Sequence, residues 1–413
     1  MRHIVISGIA LAAVAATVLA GCTSPAPTTS VKPLTLTVGA LLPQTGQFAA
    51  LAPAETAGIT LAVNDINQAG LGITVKVLTR DSGDAVAGTA GAPPTATAAT
   101  AAVKDLIAKH ATAIVGASSN DVSRAIIGQV TGAGLVMISP QNSSPEFSTI
   151  DDHGLYFRTS PSDDAEGSAL GSVMAVAGGK RLAMMVLSDD YGTGIEKTIS
   201  AAFTKAGGQV VAKEEFPATQ TDFSKEVAAV VKSKPDAVAL VTQGQAATIV
   251  PALVAAGIPP TALYFTDRNL LQYGPAMPVA LTGATGIVAG PVLDSFFQKK
   301  ILAIDPTLTS FSYAPESYDA VVLLALGALA AQSTDGAKIA AKLRAVSGGT
   351  GHGEKATDFA SAAQIVLAGD AVDYDGYSGG IAFDANGDPA QAVFGVFHYG
   401  ADNRFTRSRS VTG

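Results

Sequence analysis

The 413-residue chain has one cysteine, Cys22, and no tryptophan. A single thiol excludes an intramolecular disulfide, so the fold must rest on its hydrophobic core. Five histidines are scattered, with no His-x-x-x-His pair and no cysteine beside them, which argues against a zinc site; no metal and no cofactor is expected. Charged residues are only 15% of the chain, and acids outnumber bases 34 to 26. A net charge of −8 argues against DNA, RNA or an anionic lipid surface as partner. After the N-terminal segment, long apolar runs are also lacking. The best, Ala320 to Ala331, is about three helical turns and reads as a buried helix rather than a membrane span.

What is present begins at the N-terminus. Arg2 and His3 precede an apolar run from Ile4 to Leu19, followed by Leu19-Ala20-Gly21-Cys22. A positive start, a short apolar stretch and small residues describe a secretory signal. Small side chains directly before a cysteine resemble the lipobox of bacterial lipoproteins. That resemblance implies cleavage after residue 21, lipidation of Cys22, and a membrane-tethered protein outside the cytoplasm. The mature chain would carry 25 basic and 34 acidic residues, a net charge of −9. Its length suggests two domains. Thr23 to Lys32, rich in Ser, Thr, Pro and Ala, reads as a flexible tether (22–33).

From Leu34 onward, β-rich runs alternate with helical segments. Leu34 to Leu42, Ile73 to Thr79, Ala113 to Val115 and Leu135 to Ser139 read as strands, as do Arg181 to Leu187, Gln209 to Phe216, Ala237 to Val241 and Ala262 to Thr266. Ile59, Ala62, Val63 and Ile66 recur at helical spacing before Gly70, and Glu316 to Ala331 and Ala337 to Val346 also read as helices. Strands spaced by one helix each are the signature of βαβ units and parallel sheets, here in clusters at Leu34 to Phe157 and Pro161 to Gly286. Ile381 to Phe383 and Ala392 to Tyr399, joined across Asn386-Gly387, read as a β-hairpin. Gly88 to Thr97 is a loop insertion without evident chemistry.

Catalytic motifs fail on context. Gly376-Tyr377-Ser378-Gly379-Gly380 matches a nucleophile pattern, with Asp384 and His398 following, but strand and hairpin residues stand where a helix is required. Gly348 to Glu354 resembles a phosphate loop only loosely, since Lys355 comes one place late and Ala356 replaces the hydroxyl. Asp373-Tyr374-Asp375-Gly376 lacks the further oxygens of an EF-hand. No enzyme is expected.

Several segments, in order along the chain, resemble the type I periplasmic binding proteins of branched-chain amino acid ABC importers. They include Val38 to Gly46, Ala57 to Asn67, Val136 to Pro140, Ser144 to Glu146, Asp190 to Gly194, Tyr318 to Ala320 and Tyr374 to Pro389. The resemblance implies two Rossmann-like α/β lobes with parallel central sheets, joined by three crossover strands. One lobe would hold 34–157 with 291–380, the other 158–290 with 381–413. It implies a monomeric lipoprotein that binds an amino acid or similar small zwitterion between its lobes and docks on membrane permease subunits. A ligand-sensing receptor of the same fold is the alternative.

Val115 to Asp121 ends a strand and begins a helix, with Ser119 or Asn120 as N-cap, so that free backbone N–H groups are available to a carboxylate. By resemblance, Ser118 and Ser119 would hold an α-carboxylate. Asn142 and Ser143, after the next strand, match the family's backbone carbonyl and hydroxyl contacts. Tyr191 matches an aromatic packed on the ligand, and Asp267 an acidic partner for its ammonium. Arg268 follows at once, leaving open which of the two faces the cleft. Gln243 and Leu51 replace aromatics common in the family, so a leucine-type ligand does not follow. Phe48 and Tyr313 are candidates for the first-lobe wall, with core packing as the alternative.

Overall fold

The computed structural model describes residues 33–86, 95–390 and 392–413. The lipobox, Cys22, most of the tether and residues 88–94 of the loop insertion therefore lie outside the described residues. The chain begins with β1 (Leu34–Leu42), α1 (Ala52–Ala69), β2 (Ile73–Asp81) and α2 (Thr97–Ala108). It continues through β3 (Ala113–Gly116), α3 (Asn120–Gly132), β4 (Val136–Ser139) and β5 (Tyr156–Arg158). These strands form a parallel sheet in the order β2-β1-β3-β4-β5.

Next come α4 (Asp163–Val176), β6 (Arg181–Leu187), α5 (Asp190–Lys205), β7 (Gln209–Phe216) and α6 (Ser224–Lys232). They lead to β8 (Ala237–Val241), α7 (Ala246–Ala255), β9 (Leu263–Phe265) and β10 (Thr285–Ala289). The chain then builds α8 (Ser295–Ile304), α9 (Ala314–Ala331), α10 (Gly336–Val346), β11 (Glu354–Ala356) and α11 (Phe359–Ala368). It closes with β12 (Val372–Gly376), β13 (Gly379–Gly380), β14 (Val393–Tyr399) and β15 (Phe405–Thr412). The second sheet runs β15-β14-β10-β9-β8-β6-β7, parallel from β7 to β10 and antiparallel beyond.

Both sheets are covered on both faces, which explains the unbroken apolar runs of β3, β4 and β8, each buried throughout. Around the first sheet, one core holds α1 and α8 to α11, and the other holds α2 and α3. From Ala320 onward helix α9 is apolar on every side, and α1, α10 and α11 surround it. Among the described residues it alone is long and apolar enough to cross a membrane, and most of it is buried inside the protein. Gly58 lets α1 and α9 approach, since a Cβ there would lie 2.2 Å from the Ala314 carbonyl oxygen.

The expected C-terminal hairpin is not formed. The Asp384–Asp388 turn exists, with Gly387 at φ +80°, but its flanks form no ladder: they meet in a Phe383–Pro389 bridge and through the Ala390 N–H, which donates to the Ile381 carbonyl. β14 instead pairs with β10 and with β15, a strand that sequence reading passed over. Ile381 and Phe383 belong to the first core, whereas Ala392 and Phe394 belong to the second. The chain thus leaves the first sheet's core after residue 383, later than the 380/381 boundary read from sequence. Phe383 is held there by packing against Phe157, ring centroids 5.1 Å apart.

Candidate functional site

In parallel α/β sheets, ligands gather beyond the carboxyl ends of strands, where neighbouring connections diverge to opposite faces. Here the connections after β1 and β3, and after β6 and β8, diverge in this way. The strand ends of both sheets open on one cavity of about 880 Å³. Phe48, Ser118, Ser119, Ser143, Tyr191, Gln243, Asp267 and Tyr313 all line it. Leu51, at the start of α1, is not among the lining residues.

Contrary to the sequence expectation that its backbone carbonyl meets the solute, Asn142 is not among the residues lining the cavity, and that carbonyl accepts from Arg158. The Asn142 side chain is fully buried, donating to the Ser118 carbonyl (3.4 Å) and accepting from the Tyr156 hydroxyl (2.9 Å). Its N–H donates to Ser139 Oγ. The residue braces the ends of β3 and β4 from behind, while its neighbour Ser143 takes the wall. Arg158, also fully buried, supports the same loop. Its guanidinium donates to the carbonyls of Asn142 (3.3 Å) and Ser144 (2.8 Å), to Ser148 Oγ (2.9 Å), and to both carboxylate oxygens of Asp388 (2.6 and 2.9 Å).

Ser119, not Asn120, caps α3: its Oγ accepts from the Val122 N–H, and Asn120 Oδ1 accepts from the Ser143 N–H. The N-terminus of α3 therefore faces the cavity with its positive dipole end and unsatisfied N–H groups. The Ser118 hydroxyl points elsewhere, donating to both oxygens of Glu55 (2.7 and 2.9 Å). Glu55, in the first turn of α1, has no solvent exposure, and burial pushes its carboxyl up to about 7.

The facing wall is a compact cluster. The Tyr191 hydroxyl donates to Asp267 Oδ1 at 3.0 Å, and the Arg268 guanidinium lies 3.5 Å above the Tyr191 ring. Both Asp267 and Arg268 line the cavity. The Asp267 N–H donates to Glu166 Oε1 (2.8 Å). Burial raises the Glu166 carboxyl well above its ordinary range, and the neighbouring charges of Asp267 and Asp163 add to this. Asp163 is pushed up to about 6, chiefly by burial. Tyr313 stands at the start of α9 in the left-handed region (φ 62°), and Glu316 follows one turn later. Burial pushes Glu316 up to about 7, and its Oε2 has no hydrogen-bond partner among the described residues.

Glu55, Asp163, Glu166 and Glu316 escaped sequence reasoning. An acid in the first turn of a helix has an ordinary reading as a dipole partner; only the tertiary fold reveals its burial.

The nucleophile pattern is a two-residue turn between β12 and β13. Ser378 Oγ and N–H both donate to Asp319 Oδ2 (2.5 and 2.7 Å), while His398 pairs with Thr285 Oγ1 (3.0 Å) on the second sheet. Asp319 also accepts from the Tyr374 hydroxyl and the Tyr377 N–H, so it fastens this turn to α9. Among the described residues, no three His, Cys, Asp or Glu side chains are grouped to hold a metal ion.

Comparison with known proteins agrees with this geometry. The family model described as "Periplasmic binding protein" matches residues 35–380. The chemotactic signal transduction system substrate-binding protein BasB of Halobacterium salinarum is 24% identical over 363 residues, covering 86% of this chain and 84% of BasB. The leucine-binding protein LivK of Thermotoga maritima has a similar fold, with a TM-score of 0.65 and 20% identity over 91% of this chain and 98% of LivK. So does an ABC-transporter solute-binding protein of Rhodopseudomonas palustris, solved with benzoate, with a TM-score of 0.61 and 22% identity over 92% of this chain and 98% of that one. With its paired α/β sheets and a cavity at their strand ends, the chain belongs to the periplasmic binding protein family and has its type I fold.

Proposed function

We propose that this protein captures an amino acid or similar small zwitterion outside the cytoplasmic membrane and delivers it to an ABC permease, as a monomer tethered through a lipid on Cys22. One observation carries the reading: a helix N-terminus flanked by Ser118, Ser119 and Ser143 shares a cavity with the carboxylate of Asp267. The first set suits a carboxylate and the second an ammonium. The lobes, one per sheet, would close over the solute and exclude water, with Tyr191, Gln243, Phe48 and Tyr313 shaping the pocket. No bond is made or broken.

A thermal-shift panel on ligand-stripped protein tests this. Solute at 100 times its Kd adds about 2.7 kcal/mol of stability. Amino acids should raise the melting temperature and benzoate should not, and Asp267→Asn should abolish the amino acid effect. A response to benzoate alone would refute the zwitterion reading. The likeness to BasB supports a second reading, in which the loaded protein signals to a membrane receptor. Deleting the gene separates the two: lost uptake marks transport, and lost taxis with intact uptake marks sensing.

A further inference from the structure

Among the described residues lining the cavity, one cation, Arg268, makes no ion pair. Of the arginines lining it, Arg124 is taken up by Asp121 and Glu146 in ion pairs at the rim. Arg268 forms no ion pair and no hydrogen bond with any described residue. Its guanidinium is nevertheless held in place, lying 3.5 Å above the ring of Tyr191, which is itself buried and bonded through its hydroxyl to Asp267. A planar guanidinium fixed on one face by an aromatic ring presents its N–H fork to whatever lies beside it. That fork matches a carboxylate in two-point geometry. Asp163 and Asp267 stand close by, and Asp163 feels the charge of Arg268, but neither reaches ion-pair distance; Asp267 Oδ1 accepts from Tyr191, and its Oδ2 bonds no described residue.

We infer that Arg268 anchors a second carboxylate, carried on the solute's side chain, so that the protein prefers an amino dicarboxylic acid over neutral amino acids. This rests on the zwitterion reading and refines it. The α-carboxylate lies at the N-terminus of α3, the ammonium beside Asp267, and the distal carboxylate in the plane of the Arg268 guanidinium, at the N–H edge left open by its stacking on Tyr191.

The test is isothermal titration of the full-length mature protein with aspartate, glutamate and 2-aminoadipate, and with asparagine and glutamine as uncharged counterparts. Glutarate is added to separate the two readings. At least one dicarboxylic amino acid should bind about ten-fold or more tightly than its amide. Arg268→Met should bring that ratio to near unity, and Arg268→Lys, which keeps the charge but not the fork, should restore part of it. Circular dichroism melts establish that each variant is folded. Equal binding of acid and amide, or a preference that survives Arg268→Met, overturns the inference and leaves the zwitterion reading intact. Glutarate binding as tightly as glutamate, with the Arg268 dependence retained, supports the anchor and overturns the role given to the ammonium.

Discussion

The Arg158–Asp388 pair gives the sharpest test of how the cavity wall is held. The arginine side chain is wholly buried and the aspartate is 14% exposed, and five hydrogen bonds fasten the 142–148 loop and the Asp384–Asp388 turn to the end of β5. Removing one partner of a buried ion pair costs about 3–5 kcal/mol, because the remaining charge stays desolvated. Asp388→Ala strands Arg158 and should cost that much. If the described chain unfolds as one unit, at about 2 cal/mol/K per residue, the melting temperature falls by roughly 4–6 °C. Arg158→Met should cost less, since a solvent-reachable carboxylate rehydrates more easily than a buried guanidinium. The double variant should lose less than the sum of the single losses, by a coupling of about 2 kcal/mol. Circular dichroism melts of the four proteins measure it. Strictly additive losses, or less than about 1 kcal/mol for Asp388→Ala, would refute the reasoning. Because the loop carries Ser143, solute affinity should fall along with stability.

Further outcomes follow from the same geometry. Ser118→Ala removes the hydroxyl that donates to buried Glu55; a loss of about 1–3 kcal/mol is expected in urea unfolding, and no loss would mean that Glu55 finds another donor. Glu55 and Glu316 are pushed up to about 7, and Asp163 and Asp319 to about 6, all chiefly by burial. The folded protein therefore holds protons that the unfolded chain has lost above about pH 4 to 5, and these groups make stability fall as pH rises through 6 and 7. Melting temperatures of solute-free protein should climb as pH is lowered from 7.5 to about 5.5, and a fall over that range would contradict the burial argument. Gly58→Ala places a methyl against the Ala314 carbonyl and should destabilise by about 1–3 kcal/mol while weakening solute binding through Tyr313. Cys22→Ala should release the protein from membranes, as fractionation and immunoblotting would detect.

Elements governed by local pattern could be read from the chain. β3 and β8 are continuous apolar runs, β1 alternates leucine with threonine before a buried end, and α1 ends where Gly70 adopts the left-handed conformation that its lack of a Cβ permits. Pairing at long range could not be read. Nothing local says that Val393–Tyr399 will seek Thr285–Ala289 rather than its neighbour across the Asn386-Gly387 turn. At the site, the strand-end loops were legible because parallel sheets put ligands there. Which residue of a loop faces inward was not: Asn142 and Ser143 are adjacent and equally polar, and only the bonds to Tyr156 and Ser118 turn Asn142 away. Arg158 and Asp388, far apart in sequence, gave no sign of their partnership.

The missing indole has an optical consequence. With no tryptophan to outshine them, the nine tyrosines dominate the chain's ultraviolet emission, and Tyr191, Tyr313 and Tyr377 border the cavity. Tyr191 is coupled through its phenol to a carboxylate and through its ring to a guanidinium, so a guest that disturbs either one alters its brightness. The protein therefore carries its own unlabelled fluorescent gauge of occupancy.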